Sequence, residues 1–286
     1  MNSLHRQDLK TRRVALLLLL CICSAPAAVF PQTPRAINDS AFDYGEFDRL
    51  TRTYVNDAGL VNYAGLKKEL SALKSFTDQL AAISPDSHPA LFADDMEKLR
   101  YFATAYNAWV LYHITANYPK KDTLWGRFGG IGPKLKFKDQ PIILGGQAAS
   151  LETLEHKILR PRFADPRIHF YINCAAISCP PLPRGTIPAG KTSEALDAAA
   201  RRFINNTKYV RYDPATSTLE LSGIFKWFAD DFLMYLQTRR GIKNPHIARY
   251  VSLFLDGPAA QSLATIAPER LKIRYLPYDT DLNEQP

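Results

Sequence analysis

The sequence predicts an α+β fold, a predominantly helical single domain with a small mixed or antiparallel sheet. Three observations predict it. Apolar residues recur at spacings of three and four through most of the chain, which is the helical period. Strand-like segments are few and short. Their order, helices first and then a mixed middle, lacks the regular strand–helix alternation of a doubly wound sheet.

Asp43 to Tyr54 carries Phe47, Leu50 and Tyr54 on one face, a short amphipathic helix. Asp57-Ala58-Gly59 is a turn signal. Tyr63 to Leu80 follows as a helix with Leu66, Leu70, Leu73, Phe76 and Leu80 inward. Glu97 to Tyr118 is the central helix. Leu99, Phe102, Tyr106, Trp109 and His113 form one stripe, and Ala103, Val110, Leu111 and Ile114 the next. A helix apolar around most of its circumference is buried. Asn107 therefore needs partners: it pins a neighbouring loop or orients a reactive side chain.

Lys134, Lys136 and Lys138 alternate with Leu135 and Phe137, which puts the lysines on one face of a strand. That face reads as an edge protected against pairing with other chains. The alternative partner is an anionic envelope component. Ile142 to Leu144 forms a second strand, with Gly145-Gly146 as a hairpin turn. Ser150 caps the next helix, which buries Leu151, Leu154 and Ile158 and ends at Pro161. Ile168 to Ile172 has the composition of a short strand, which would set His169 opposite Ile168 and Phe170. Ser193 to Asn205 is a helix, and Tyr209–Tyr212 with Thr218–Leu221 a hairpin. Helices over Phe225–Leu236, His246–Leu255 and Ala259–Ile266 precede a last strand, Leu271–Tyr275. Residues after Asn283 are expected to be loose.

The N-terminal residues read as an address. Arg6, Lys10, Arg12 and Arg13 precede a nine-residue apolar run, Val14 to Ile22, and Ala25-Pro26-Ala27 fits a signal-peptidase site. Nine residues are too few to span a bilayer, which takes about twenty. The expected organisation is a signal peptide over 1–27, a flexible tether over 28–42 and one globular domain over 43–283, exported to the periplasm or beyond. Removing 1–27 takes four basic residues and one acidic one, so the net charge of +8 falls by three. A mildly basic exported protein is not a nucleic-acid binder. No transmembrane segment is expected after signal cleavage.

Export leaves two cysteines, Cys174 and Cys179, because Cys21 and Cys23 depart with the signal. Four residues separate them, a spacing that can bring their Cα atoms within disulfide range. The other reading is a reactive thiol at Cys174. A base at His156, oriented by Asn107 or Glu155, would complete a thiol-hydrolase triad. His169, Arg160, Arg167, Asn173 and Cys179 are candidate binding residues around it. Glu152 and His156, one helical turn apart, form a pair. None of these matches a metal-ligand spacing, and no cofactor is called for. The chain has no GxGxxG, phosphate loop or GxSxG.

These residues carry a resemblance. YFATAYNAWVLYHI around Asn107, LETLEHKILRP around His156 and DPRIHFYINCAAISCPP resemble the family catalogued as domain of unknown function 547. TYVNDAGLVNY upstream and LDAAARRFINN, LSGIFKWFADDF and IRYLPYD downstream extend it over nearly all of the chain after residue 27. The resemblance implies an exported bacterial protein but no defined activity. It implies polar positions at Asn107, Glu155, His156, Arg160, Arg167, His169, Asn173, Cys174, Ser178 and Cys179. The sequence departs from the family at Ala103-Thr104 and at Ala175, where Gly is usual. An Ala at 175 disfavours a left-handed backbone after Cys174 by about 1 kcal/mol or more.

Two functions follow as expectations. One is a binding or structural module of the envelope, stapled by Cys174–Cys179. The other is a cysteine-dependent hydrolase or transferase acting on amide or ester bonds.

Overall fold

Helix α4, Asp95–Asn117, is the axis of the molecule. Asp94 starts it by accepting the Glu97 N–H at 2.9 Å. Sixteen of its residues are buried, including Asn107 and His113, as its all-round apolar character requires. Around it pack α2 (Tyr63–Lys68) and α3 (Leu70–Ala82), preceded by α1 (Gly45–Tyr54). The computed structural model describes residues 41–119 and 139–286. The N-terminal expectations over 1–40 and the lysine-faced strand over 134–138 lie outside the described residues.

The helix expected over Tyr63–Leu80 is two helices that meet at Glu69. Asn62 caps α2 through the Gly65 N–H, and Glu69 accepts the Tyr54 hydroxyl at 2.6 Å. Strands β1 (Pro141–Leu144) and β2 (Gln147–Ser150) form the antiparallel hairpin, with Ile142 and Leu144 buried against α3. Gly145, at φ +55°, donates its N–H to Leu80, and a Cβ there would meet Ser84 Oγ at 2.2 Å.

Ser150 caps α5 by accepting the Thr153 N–H at 3.1 Å. This helix runs through α-helical Leu151–Thr153, a π-helical stretch Leu154–Leu159 and α-helical Arg160–Phe163. Pro161 does not end it. The change of winding sets the proline in the first turn of a new α-segment, where a missing N–H costs little. The strand expected over Ile168–Ile172 is instead a 3₁₀ helix, Pro166–Phe170, with Asp165 accepting the Arg167 N–H as its cap. Ile168, His169 and Phe170 are all buried there, so His169 is not set opposite its neighbours.

Helix α6 (Thr192–Ile204) lies against α4. A second sheet joins β3 (Val210–Asp213), β4 (Thr218–Leu221) and β5 (Lys272–Tyr275). Strands β3 and β4 are antiparallel, and β5 runs parallel to β4 in the register Leu219↔Ile273. Between β4 and β5 the chain forms α7 (Ile224–Trp227), α8 (Ala229–Arg240), α9 (Ile247–Ser252) and α10 (Pro258–Thr265). The expected single helix over Phe225–Leu236 is broken at Phe228. The C-terminal residues are not loose: Gln285 donates its N–H to Val61, and its side-chain amide bonds Tyr54 and Leu60. The architecture is α+β and mostly helical. Among the described residues no helix is long and apolar enough to cross a membrane.

Candidate functional site

A cleft of about 320 Å³ opens between α4, α5, the 170–180 loop, α7 and the C-terminal strap. Tyr106 comes from α4, Glu155 and His156 from the π-helical part of α5, and Cys174 and Cys179 from the loop. Trp227 and Phe228 stand at the break between α7 and α8, and Tyr278 comes from the strap. The extra residue per turn of a π-helix changes which side chains share a face, and such stretches occur often at functional sites.

Polar side chains behind the cleft form one network. Asp231, in the first turn of α8, accepts two bonds from Arg160, at 2.7 and 2.9 Å. The same carboxylate accepts the His169 Nε2–H at 2.7 Å. Burial opposes charge on Asp231, but the hydrogen bonds and positive charge of His169 and Arg160 outweigh it. They hold the carboxyl well below the usual range. The His169 ring stacks on Phe228 with centroids 3.9 Å apart, and the Arg160 guanidinium lies 5.1 Å from the same ring. Arg160 also reaches His156 Nδ1 at 2.6 Å. A guanidinium only donates, so Nδ1 accepts and the ring proton sits on Nε2. That nitrogen faces Glu152 at 3.3 Å and Glu155 at 3.9 Å. Glu155 is buried and accepts the Tyr106 hydroxyl at 3.1 Å. Burial, and then the Glu155 charge, push Tyr106 well above the ordinary phenol range, so it remains a donor.

The loop that carries the cysteines hangs on two asparagines. Asn107 accepts the Asn173 N–H at 2.8 Å and donates to Tyr171 O at 3.3 Å, so it pins the loop. Asn173 donates to Pro180 O at 2.7 Å and accepts the Ala175 N–H at 2.6 Å and Asn283 Nδ2 at 3.3 Å. Ala175 takes the left-handed conformation, φ +64°, which the side chain was expected to resist. The Asn173 carboxamide holds it there. Ala175→Gly is expected to stabilise by up to about 1 kcal/mol: relief of strain exceeds the extra flexibility gained by the unfolded chain. Thermal unfolding of the variant checks this, and a lowered midpoint would contradict it.

Cys174 and Cys179 are joined in a disulfide, with Cα atoms 6.3 Å apart. The expected pairing is therefore present. The hydrolase reading needs a free sulfur on Cys174 and a basic nitrogen on His156. Here the sulfur is bonded and His156 Nδ1 accepts from Arg160. Cys174 leaves a loop after a 3₁₀ helix, not a strand. Of the binding candidates, His169 and Cys179 line the cleft and Arg160 braces it from behind. Asn173 shapes the loop. Arg167 is engaged elsewhere, with Asp165 at 2.6 Å and Asp197 at 2.8 Å. Among the described residues no three His, Cys, Asp or Glu side chains are grouped to hold a metal ion.

Sequence reasoning missed Asp231, Tyr106, Trp227, Phe228 and Tyr278 as site residues. Their signal was present in the strings YFATAYNAW, WFADDF and YLPYD. Residues 92–204 match the model of a family described as protein of unknown function, DUF547. That span holds Asn107, Glu155, His156 and both loop cysteines, while Trp227, Phe228, Asp231 and Tyr278 lie beyond it. No curated protein and no solved structure matches the chain.

Proposed function

We propose that the protein is an exported envelope module that holds a small ligand in this cleft. The observation that carries the reading is the lining. Trp227, 50% exposed, and Tyr278, its edge-to-face partner at 4.7 Å, offer aromatic surface at the cleft. Glu155 lies deeper, 3% exposed, and among the described residues no Lys or Arg lines the cleft. An apolar pocket with one buried acceptor suits a ligand with an apolar or planar body and an N–H donor, such as an amine. The apolar run at Val14–Ile22, the small-residue site at Ala25–Ala27 and the disulfide support export.

A matched pair of probes tests the binding. Phenethylamine is expected to raise the melting temperature and phenylacetate to leave it unchanged. Glu155→Gln should weaken the amine effect, and Trp227→Ala should remove it. Equal responses to the two probes, or none to either, would overturn the reading.

The disulfide closes a short loop, with a sequence separation of 5. The chain-entropy relation gives such a loop about 2 kcal/mol. Cys174→Ser and Cys179→Ser are therefore expected to destabilise about equally, by about 2 kcal/mol each, in urea unfolding of the oxidised protein. Values near zero for both would show that the bond contributes no constraint.

A further inference from the structure

The disulfide forms part of the cleft wall, and its two sulfurs differ. Cys174 is half-buried, whereas Cys179 is buried. Cys179 Sγ accepts the Cys174 N–H at 3.3 Å and the Tyr278 hydroxyl at 3.2 Å. Donors on a sulfur favour its thiolate. Burial raises Tyr278 well above the usual phenol range, so its proton stays in place at neutral pH.

The loop does not depend on the S–S bond for its path. Asn173 Nδ2 ties its start to Pro180 O. Ile177 and Ser178 donate to Asp281 and Asp279 carbonyls at 2.8 and 3.0 Å, and Asn283 donates to Ala175 O at 3.0 Å. Closing so short a loop also removes less freedom from the unfolded chain than a long-range bond would. A bond that the loop's path does not require, that faces a cleft and that has one sulfur prepared to leave is suited to exchange.

We propose that Cys174–Cys179 is a thiol–disulfide exchange site that accepts electrons from a small-molecule thiol in the cleft. The incoming thiolate attacks Cys174 Sγ and forms a new S–S bond with it. The Cys174–Cys179 bond breaks, and its electron pair stays on Cys179 Sγ, held by the Tyr278 O–H and the Cys174 N–H. A second thiolate attacks the substrate sulfur of the mixed disulfide and releases Cys174. The two substrate thiols become one disulfide, and their two protons end on Cys174 and Cys179. This goes beyond the binding reading and needs the cleft but not the preference for an amine.

The test is a peptide map. Oxidised protein is mixed with a small excess of cysteamine or, separately, 2-mercaptoethanol, quenched in acid and alkylated. The expected product carries the thiol on Cys174 and the alkyl group on Cys179. Tyr278→Phe should slow adduct formation about tenfold, the effect of one lost hydrogen bond to the leaving sulfur, with an unchanged melting temperature. The adduct on Cys179, equal labelling of both cysteines, or no opening at thiol concentrations that reduce oxidised glutathione would each overturn the proposal. A cysteamine rate above that of 2-mercaptoethanol bears on the amine reading alone, so the two ideas can fail separately.

Discussion

Asp231→Ala is expected to lower the unfolding free energy by about 3 kcal/mol, the low end of the range for stripping one partner from a buried ion pair. The carboxylate satisfies three donors on two elements: two from Arg160 of α5 and one from His169 of the 3₁₀ helix. Its removal leaves the guanidinium and a buried imidazole without their acceptor. The low end applies because the Arg160 and Asp231 side chains each keep 24% of their surface in solvent. Asp231→Asn retains an acceptor and should fall between the variant and the wild type. Urea unfolding at neutral pH measures both, and a loss under about 1 kcal/mol for the alanine variant would show that the network does not brace the site.

Acid should weaken the fold well before the carboxylates titrate. Burial lowers His113 to about 4, with a hydrogen bond to the Pro141 backbone working in the other direction. An unfolded histidine titrates near 6.5. Above that pH both states are neutral at this residue, and His113 has no effect on stability. As pH falls from about 6.5 to about 4 the unfolded chain takes a proton that the folded chain refuses. The stability lost over that window is about 3 kcal/mol. His246, lowered first by burial and then by Arg249, acts in the same direction. Asp231 acts in a different window. Its folded pKa is depressed, so its contribution is complete above the unfolded value near 3.9 and is lost only below it. Urea unfolding at several pH values should therefore show a steep decline between pH 6.5 and 4 in the wild type. His113→Phe should show a shallower one, and an unchanged slope would remove the histidine from the explanation.

The long periodic segments were legible. Helices α4 and α6 and the β3–β4 hairpin lie within a few residues of where spacing and turn residues put them. The run Ile168–Ile172 was not, because five residues, four of them apolar or aromatic, fit a strand or a buried helix equally well. The deciding signal stood just before it: Asp165-Pro166 is an N-cap followed by a first-turn proline. The breaks at Glu69 and Phe228 leave the apolar period intact on both sides, so periodicity alone passes over them.

The candidate site divides along the same line. Glu155, His156, Cys174 and Cys179 are close in sequence and were found together. Asp231 lies 62 residues from His169, and two acids in the first turn of a helix read as favourable to its dipole. Only the packing of α8 against the 3₁₀ helix makes one of them the centre of a network. Tyr278 meets Cys179 across 99 residues through the C-terminal strap, which sequence reading expected to loosen only a few residues further on.

The most direct test of the account is the state of the two sulfurs in protein recovered from cells without reductant, read by alkylation and intact mass before and after reduction. The account expects no alkylation of Cys174 or Cys179 before reduction and two added groups after it. A thiol at Cys174 that alkylates at once near neutral pH, with no reductant, would contradict the disulfide-walled cleft and restore the cysteine nucleophile.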